Sequence, residues 1–194
     1  LYIQQSSPNR LDSFERGSNV SISATNRLAV FKITPGYDTL RMVKLKKVKK
    51  TKWPKDSLGI YDIYLNTLNK VPNVNSFSVS EKGNAFAFIQ EVEIEPRSGM
   101  FAFWFHSEKD KKKKKEKWLK VYDIYPTMSF EKRNVKSFTL SPNGERIAYI
   151  EHVTGDEDKV SEKLVIRNTK GGELISSFSA QQKYNLPVWS ESSN

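Results

Sequence analysis

Two stretches of this chain repeat each other at a fixed spacing of 61 residues, and little else about the sequence limits its fold so strongly. Val74-Asn75-Ser76-Phe77-Ser78-Val79-Ser80-Glu81-Lys82-Gly83-Asn84-Ala85-Phe86-Ala87-Phe88-Ile89 returns as Val135-Lys136-Ser137-Phe138-Thr139-Leu140-Ser141-Pro142-Asn143-Gly144-Glu145-Arg146-Ile147-Ala148-Tyr149-Ile150. A third copy lies upstream, from Val20 to Phe31, and a fourth begins at Pro187-Val188-Trp189-Ser190. Each copy reads as a short strand of alternating apolar and small polar residues, a turn, and a returning strand rich in aromatic and β-branched residues. In Ser141-Pro142-Asn143-Gly144, proline presets φ and glycine accepts a positive φ, which is turn chemistry.

A second element repeats in step. Ser57-Leu58-Gly59-Ile60-Tyr61-Asp62-Ile63-Tyr64 resembles Trp118-Leu119-Lys120-Val121-Tyr122-Asp123-Ile124-Tyr125, and Lys163 to Glu173 is the later counterpart. A third strand, a turn and a fourth strand are expected there. Four antiparallel strands per unit make a propeller blade, whose usual length is about 40–45 residues. The predicted fold is therefore all-β, an incomplete β-propeller. Residues 1–17 supply the last strands of a preceding blade; 18–73, 74–133 and 134–182 are blades; 183–194 open another. Propellers close with about four to eight blades. About three and a half would leave strand edges open, so the chain is expected to be a segment of something longer.

The formal charge of +10 is concentrated in two inserts, each expected between the second and third strands of its blade. Residues 41–55 hold eight cations and no anion; residues 108–120 hold eight cations and three anions. Together they carry +13, so the remainder sums to 10 − 13 = −3. Like-charge runs of this kind are expected to be solvated, mobile surface loops. A patch for nucleic acid or anionic lipid is the sharper alternative, with Trp53, Trp104, Phe105 and Trp118 flanking the runs. No RNP-type aromatic pattern or helix-turn-helix signature accompanies them, which argues against nucleic acid.

The Ser141–Tyr149 motif, with Leu164–Glu173 and Pro187–Ser190 after it, resembles blades of TolB-type and dipeptidyl-peptidase-type propellers. A longer ordered series is more telling: Phe14-Glu15-Arg16-Gly17-Ser18-Asn19, Leu28–Ile33, the lysine run, then Trp53-Pro54-Lys55-Asp56-Ser57-Leu58-Gly59-Ile60-Tyr61. It resembles the N-terminal propeller of bacterial peptidases of the prolyl oligopeptidase (dipeptidyl-peptidase IV-like) family. The resemblance implies a parent serine peptidase with an α/β-hydrolase domain, and export to the periplasm or cell surface. It implies that the propeller gates and binds oligopeptide substrates. Its partners would be the hydrolase domain of the same parent chain, the oligopeptide, and other envelope proteins.

The residues in hand show no hydrolase machinery. There is no Gly-X-Ser-X-Gly elbow, and Gly17-Ser18-Asn19 precedes a strand rather than a helix. The two histidines, His106 and His152, are read as strand-end or surface residues, not as a base in a triad. Glu91, Glu93 and Glu95 share one strand face at period two, with Val92 and Ile94 on the other. That row could hold a peptide amine or a metal, but a solvated face is the expectation. Asp156, Glu157 and Asp158 lack calcium-loop spacing, and Gly171-Gly172 reads as a hairpin turn, not a phosphate loop. Trp189 and the stripe Phe77, Phe86, Phe88, Phe138 and Tyr149 are expected to pack between blades. No catalytic, metal-binding or cofactor-binding residue is assigned. With no cysteine, thiolate chemistry and disulfides are excluded. A non-catalytic propeller serving as a protein-binding scaffold in an envelope complex is the alternative function.

Overall fold

Strand order follows chain order in every sheet of the computed structural model, which describes residues 1–6, 9–94, 114–154, 160–180 and 183–190. Strands β1 (Tyr2–Ser6) and β2 (Asn9–Ser13) form a two-stranded antiparallel sheet. The first blade is β3 (Gly17–Ile22), β4 (Leu28–Ile33), β5 (Ser57–Asp62) and β6 (Thr67–Val71). The second is β7 (Val74–Val79), β8 (Phe86–Ile94), β9 (Lys114–Ile124) and β10 (Thr127–Arg133). The third is β11 (Val135–Leu140), β12 (Arg146–Thr154), β13 (Val160–Asn168) and β14 (Leu174–Ala180). These are propeller blades, and they do not close into a ring.

The packing follows from the two-residue period of a strand. In β4, Ala29 and Phe31 face back onto Ile3 and Tyr61, while Leu28 and Val30 face forward onto Phe86 and Phe88 of the second blade. In β8 the pattern repeats: Phe86 and Phe88 look back, whereas Ala87 and Ile89 look forward onto Ile147 and Tyr149. Both faces of each middle strand are thus buried, which is why these strands read as nearly continuous apolar runs. Each Leu, Ile, Val or Phe among them contributes about 1.5–3 kcal/mol by burial. The aromatic stripe is core: Phe86, Phe88 and Tyr149 are essentially inaccessible, Phe138 is buried, and Phe77 packs on the first interface.

The sequence repeat is also a hydrogen-bond repeat. Arg16, Asn73 and Asn134 precede the first strand of each blade with positive φ of 58°, 58° and 59°. Their carbonyls accept Thr34 N–H, Glu91 N–H and His152 N–H. At the far end of the same strands, Ser23, Ser80 and Ser141 are buried, and their amides donate to Leu28, Ala85 and Arg146 carbonyls. The turns then lock blade to blade. Ala24 N–H donates to Gly83 O (3.3 Å), Lys82 N–H to Pro142 O (2.8 Å), and Thr25 Oγ1 to Asn84 Oδ1 (2.8 Å).

The structure corrects three expectations. The first lysine run is not a mobile loop. Residues Tyr37–Leu45 form helix α1, and Lys50–Lys52 a 3-10 turn. Lysine is a good helix former, and here its charge sits where a helix dipole favours it. The helix ends in a Schellman motif: Val48 N–H donates to Val43 O, Lys47 N–H to Lys44 O, and Lys47 holds φ 49°. Part of the second run, Lys114 to Lys120, lies in β9 rather than in the insert; Trp104, Phe105, His106 and residues 108–113 lie outside the described residues. Pro187–Ser190, read as an opening strand, is not a strand here. A blade's first strand takes its hydrogen bonds from the second strand of its own blade, and none pairs with it among the described residues. Gly171-Gly172 does form a turn, between β13 and β14, with φ of 73° and 68°.

Candidate functional site

In a four-stranded antiparallel blade the first and third connections share one end and the second connection lies at the other. The β3–β4, β5–β6, β7–β8 and β9–β10 turns therefore line a turn end. The segment from Ile33 to Ser57 emerges at the opposite, insert end, where β8 also ends at Ile94 and β9 begins at Lys114.

Charge gathers at the insert end around one carboxylate. Cross-strand register sets Glu91 opposite Lys117 and Glu93 opposite Lys115. Lys115 Nζ lies 3.3 Å from Glu91 and 3.6 Å from Glu93. Lys55, arriving from the insert of the first blade, donates to the other Glu91 oxygen and to Asn75 Oδ1 (3.0 Å). Glu91 is therefore a bridge between two lysine-rich segments, not a member of a solvated row; Glu95 lies outside the described residues. Partial burial works to raise its carboxyl, but hydrogen bonds from Lys55 and Lys115 outweigh that and hold it below the ordinary value. No carboxylate here is left to gather a metal, and no group of three metal-binding side chains exists among the described residues.

Four residues of the Trp53–Tyr61 motif have local tasks visible in the structure. Trp53 Nε1 donates to Val48 O at 2.8 Å, which folds the lysine run back on itself, and Lys44 lies over its ring. Asp56 pairs with Lys32 (3.6 Å), and its carbonyl accepts Val74 N–H (2.9 Å), tying the first blade to the second. Gly59 lies flat against Phe31, where a Cβ would come within 2.7 Å of the ring. Tyr61 donates to Asp12 at 2.7 Å. Burial, then that charge, pushes its phenol up to about 12, and the same hydrogen bond holds Asp12 below the ordinary carboxylate value.

At the turn end a cleft of about 230 Å³ opens between the first two blades. Tyr64 and Tyr125 stand beside it, Leu28 lies at its base, and Ser23, Thr25, Arg27 and Asn84 supply polar groups. Arg27 is held by Asp62 at 3.2 Å, and Asp62 also caps the following turn by accepting Tyr64 N–H and Leu65 N–H. Tyr125 Oη accepts from Asn69 Nδ2 across the blade joint. Sequence reading did not single out Lys55, Asn75, Arg27, Tyr64 or Tyr125. The signal for two of them was present, since Tyr64 and Tyr125 match at the same 61-residue spacing.

The other candidates are dispersed. Gly17 and Ser18 lie within β3, where a Cβ on Gly17 would meet Leu1 at 2.8 Å. His152 is exposed in β12. Asp156, Glu157 and Asp158 lie outside the described residues, and Trp189 is half-buried in a segment outside any strand or helix.

No family model matches the chain, and no curated protein matches it. Among solved structures, it is similar to the β-propeller domain of the Trilobed protease from Pyrococcus furiosus (15% identity, TM-score 0.45), over 87% of this chain and 43% of that one. It is similar to Pyrococcus horikoshii acylaminoacyl peptidase (14% identity, TM-score 0.46), over 86% of this chain and 25% of that one. It is also similar to a structure described as the eukaryotic initiation factor (11% identity, TM-score 0.46), over 91% of this chain and 36% of that one. The chain spans less than half the length of each. The fold rests on strand order and packing, not on these likenesses.

Proposed function

We propose that this chain is propeller from an exported serine peptidase of the prolyl oligopeptidase family. On this reading it binds oligopeptides and limits access to a Ser-His-Asp hydrolase domain carried by the same parent protein. The observation that carries the reading is the ordered series Phe14–Asn19, Leu28–Ile33, lysine run, Trp53–Tyr61, which resembles that family along one blade and its insert. The turn-end cleft beside Tyr64 and Tyr125 offers what a peptide needs: aromatic walls for side chains, and hydroxyl, amide and guanidinium groups for its backbone and termini.

The test is made on the full-length parent protein. A fluorophosphonate probe should label one serine, and a series of peptides of increasing length should be hydrolysed while a folded protein substrate is spared. Tyr64→Ala should raise KM for long peptides and leave a dipeptide chromogenic substrate unaffected, because Tyr64 is exposed and carries no core packing. A parent that shows neither probe labelling nor peptide hydrolysis sinks the peptidase reading and leaves the scaffold function. Labelling with no length dependence sinks the gating role alone.

A further inference from the structure

The insert end carries a feature that the peptidase reading does not use. Helix α1 turns its large apolar side chains outward. Tyr37 is 77% exposed, Leu45 67% and Met42 49%, while only Leu40 and Val43 lean toward the body. Tyr37, Arg41 and Leu45 fall in one row at i, i+4 and i+8, and Met42 lies beside them. Exposed cations surround that face: Lys44, Lys46, Lys47, Lys49, Lys50 and Lys52, all in a segment with no carboxylate between Thr39 and Lys55. Asp38, in the first turn, is the one acid of α1. The Schellman motif closes the helix, and the Trp53–Val48 bond folds the following run back on itself. The Lys55–Glu91–Lys115 bridge ties the root of the run to β8 and β9, where exposed Lys115 and Lys117 add further cations at the same end of the blades.

We infer that this rim docks the protein on an anionic lipid bilayer, with Tyr37, Met42 and Leu45 seated among the headgroups and the lysines against the lipid phosphates. The argument is complementarity of two kinds at once. Lysine clusters are drawn to an anionic surface, and exposed aliphatic side chains gain only where they leave water. A nucleic acid would satisfy the lysines but would strand Leu45 and Met42, and the run offers one arginine and no exposed aromatic pair for base stacking. The inference is independent of whether the parent is a peptidase.

The experiment is co-sedimentation of the full chain with vesicles of phosphatidylcholine, with and without one-third phosphatidylglycerol, at physiological ionic strength. Binding should require phosphatidylglycerol and weaken as salt rises. Each lysine near such a surface is worth about fivefold in partitioning. Changing Lys44, Lys46, Lys47 and Lys49 together to Gln should therefore lower it on the order of a hundredfold or more. Leu45→Ser should lower it about tenfold. All five residues are exposed, and far-UV circular dichroism checks that the variants fold. Tyr37→Trp should shift its emission to the blue on phosphatidylglycerol vesicles only. The inference is overturned by equal binding to both vesicle types, by no binding to either, or by binding that survives both variants. DNA binding insensitive to Leu45→Ser, without vesicle binding, would also overturn it and assign the rim to nucleic acid.

Discussion

The blade-to-blade lock at the turn end predicts that two glycines, alike in sequence, respond to alanine for different reasons. Gly83 lies in the β7–β8 turn, and a Cβ there would fall 2.3 Å from Asn143 O of the next blade. Its φ is not positive, so alanine meets no backbone penalty; the whole cost is the collision. Carbon and oxygen need roughly 3.2 Å or more, so the turns must part by about 1 Å. Overpacking of this kind costs about 1–3 kcal/mol. The neighbouring Lys82 N–H to Pro142 O bond would lengthen with it, at about 1 kcal/mol. The restricted unfolded chain returns about 0.4–1 kcal/mol. The net loss for Gly83→Ala is about 1.5–3 kcal/mol. Gly171 is the contrast: φ is 73° and nothing lies within 4 Å, so Gly171→Ala pays only left-handed strain, about 1 kcal/mol. Urea unfolding followed by tryptophan fluorescence reads both. With a slope of about 2 kcal/mol/M, Gly83→Ala should move the midpoint down by about 1 M and Gly171→Ala by half that. A neutral or stabilising Gly83→Ala, or a Gly171→Ala that costs more, would refute the turn lock.

Phe88→Ala empties a site only 1% exposed between the first two blades and should cost about 3–5 kcal/mol in thermal unfolding. Lys55→Met should cost about 1–2 kcal/mol at neutral pH through loss of the Glu91 bridge. Because the Glu91 carboxyl is held low in the folded state, that advantage is present above the ordinary carboxylate value and should fade as pH falls through the folded one, as acid titration of both proteins will show. Tyr61→Phe should cost about 1 kcal/mol near neutrality. The folded phenol is pushed up to about 12, so the advantage of tyrosine is complete below its ordinary value of 10 and should vanish as pH rises from there toward 12.

The fold was legible because a repeat reports tertiary structure. A residue conserved between two units of one chain is held by the same neighbour twice, and Ser80 and Ser141, or Asn73 and Asn134, are such pairs. Period-two alternation then separated the forward and backward faces of β4 and β8. What was not legible lies where the repeat breaks. The lysine run reads as solvated loop because like charges repel, yet Asp38 near the helix start, cations at its end and the local Trp53–Val48 bond outweigh that repulsion. The charge site was half visible. The glutamate row and both lysine runs stood out, but their meeting at Glu91 depends on β8–β9 register and on the return path of the insert through Pro54.

The two ends of the blades are built by different physics. At the turn end, close backbone approach, buried serines and glycines without room for a Cβ leave little tolerance for change. At the insert end the first two blades are tied at the root of the second connection by Val74 N–H to Asp56 O, and beyond such a root a loop grows at low entropic cost. Long charged segments therefore accumulate at one end without straining the blade interfaces. They still need an anchor to present a defined surface, and Asp56 and the Lys55–Glu91–Lys115 bridge provide one at the root of the insert. The consequence is separable: cutting the Glu91 bridge should loosen the rim without parting the blades, whereas Gly83→Ala should part the blades and leave the rim charge intact. Hydrogen exchange in Glu91→Gln confined to 41–56 and 114–117 would fit that division, and exchange spreading into Phe86–Ile89 would break it.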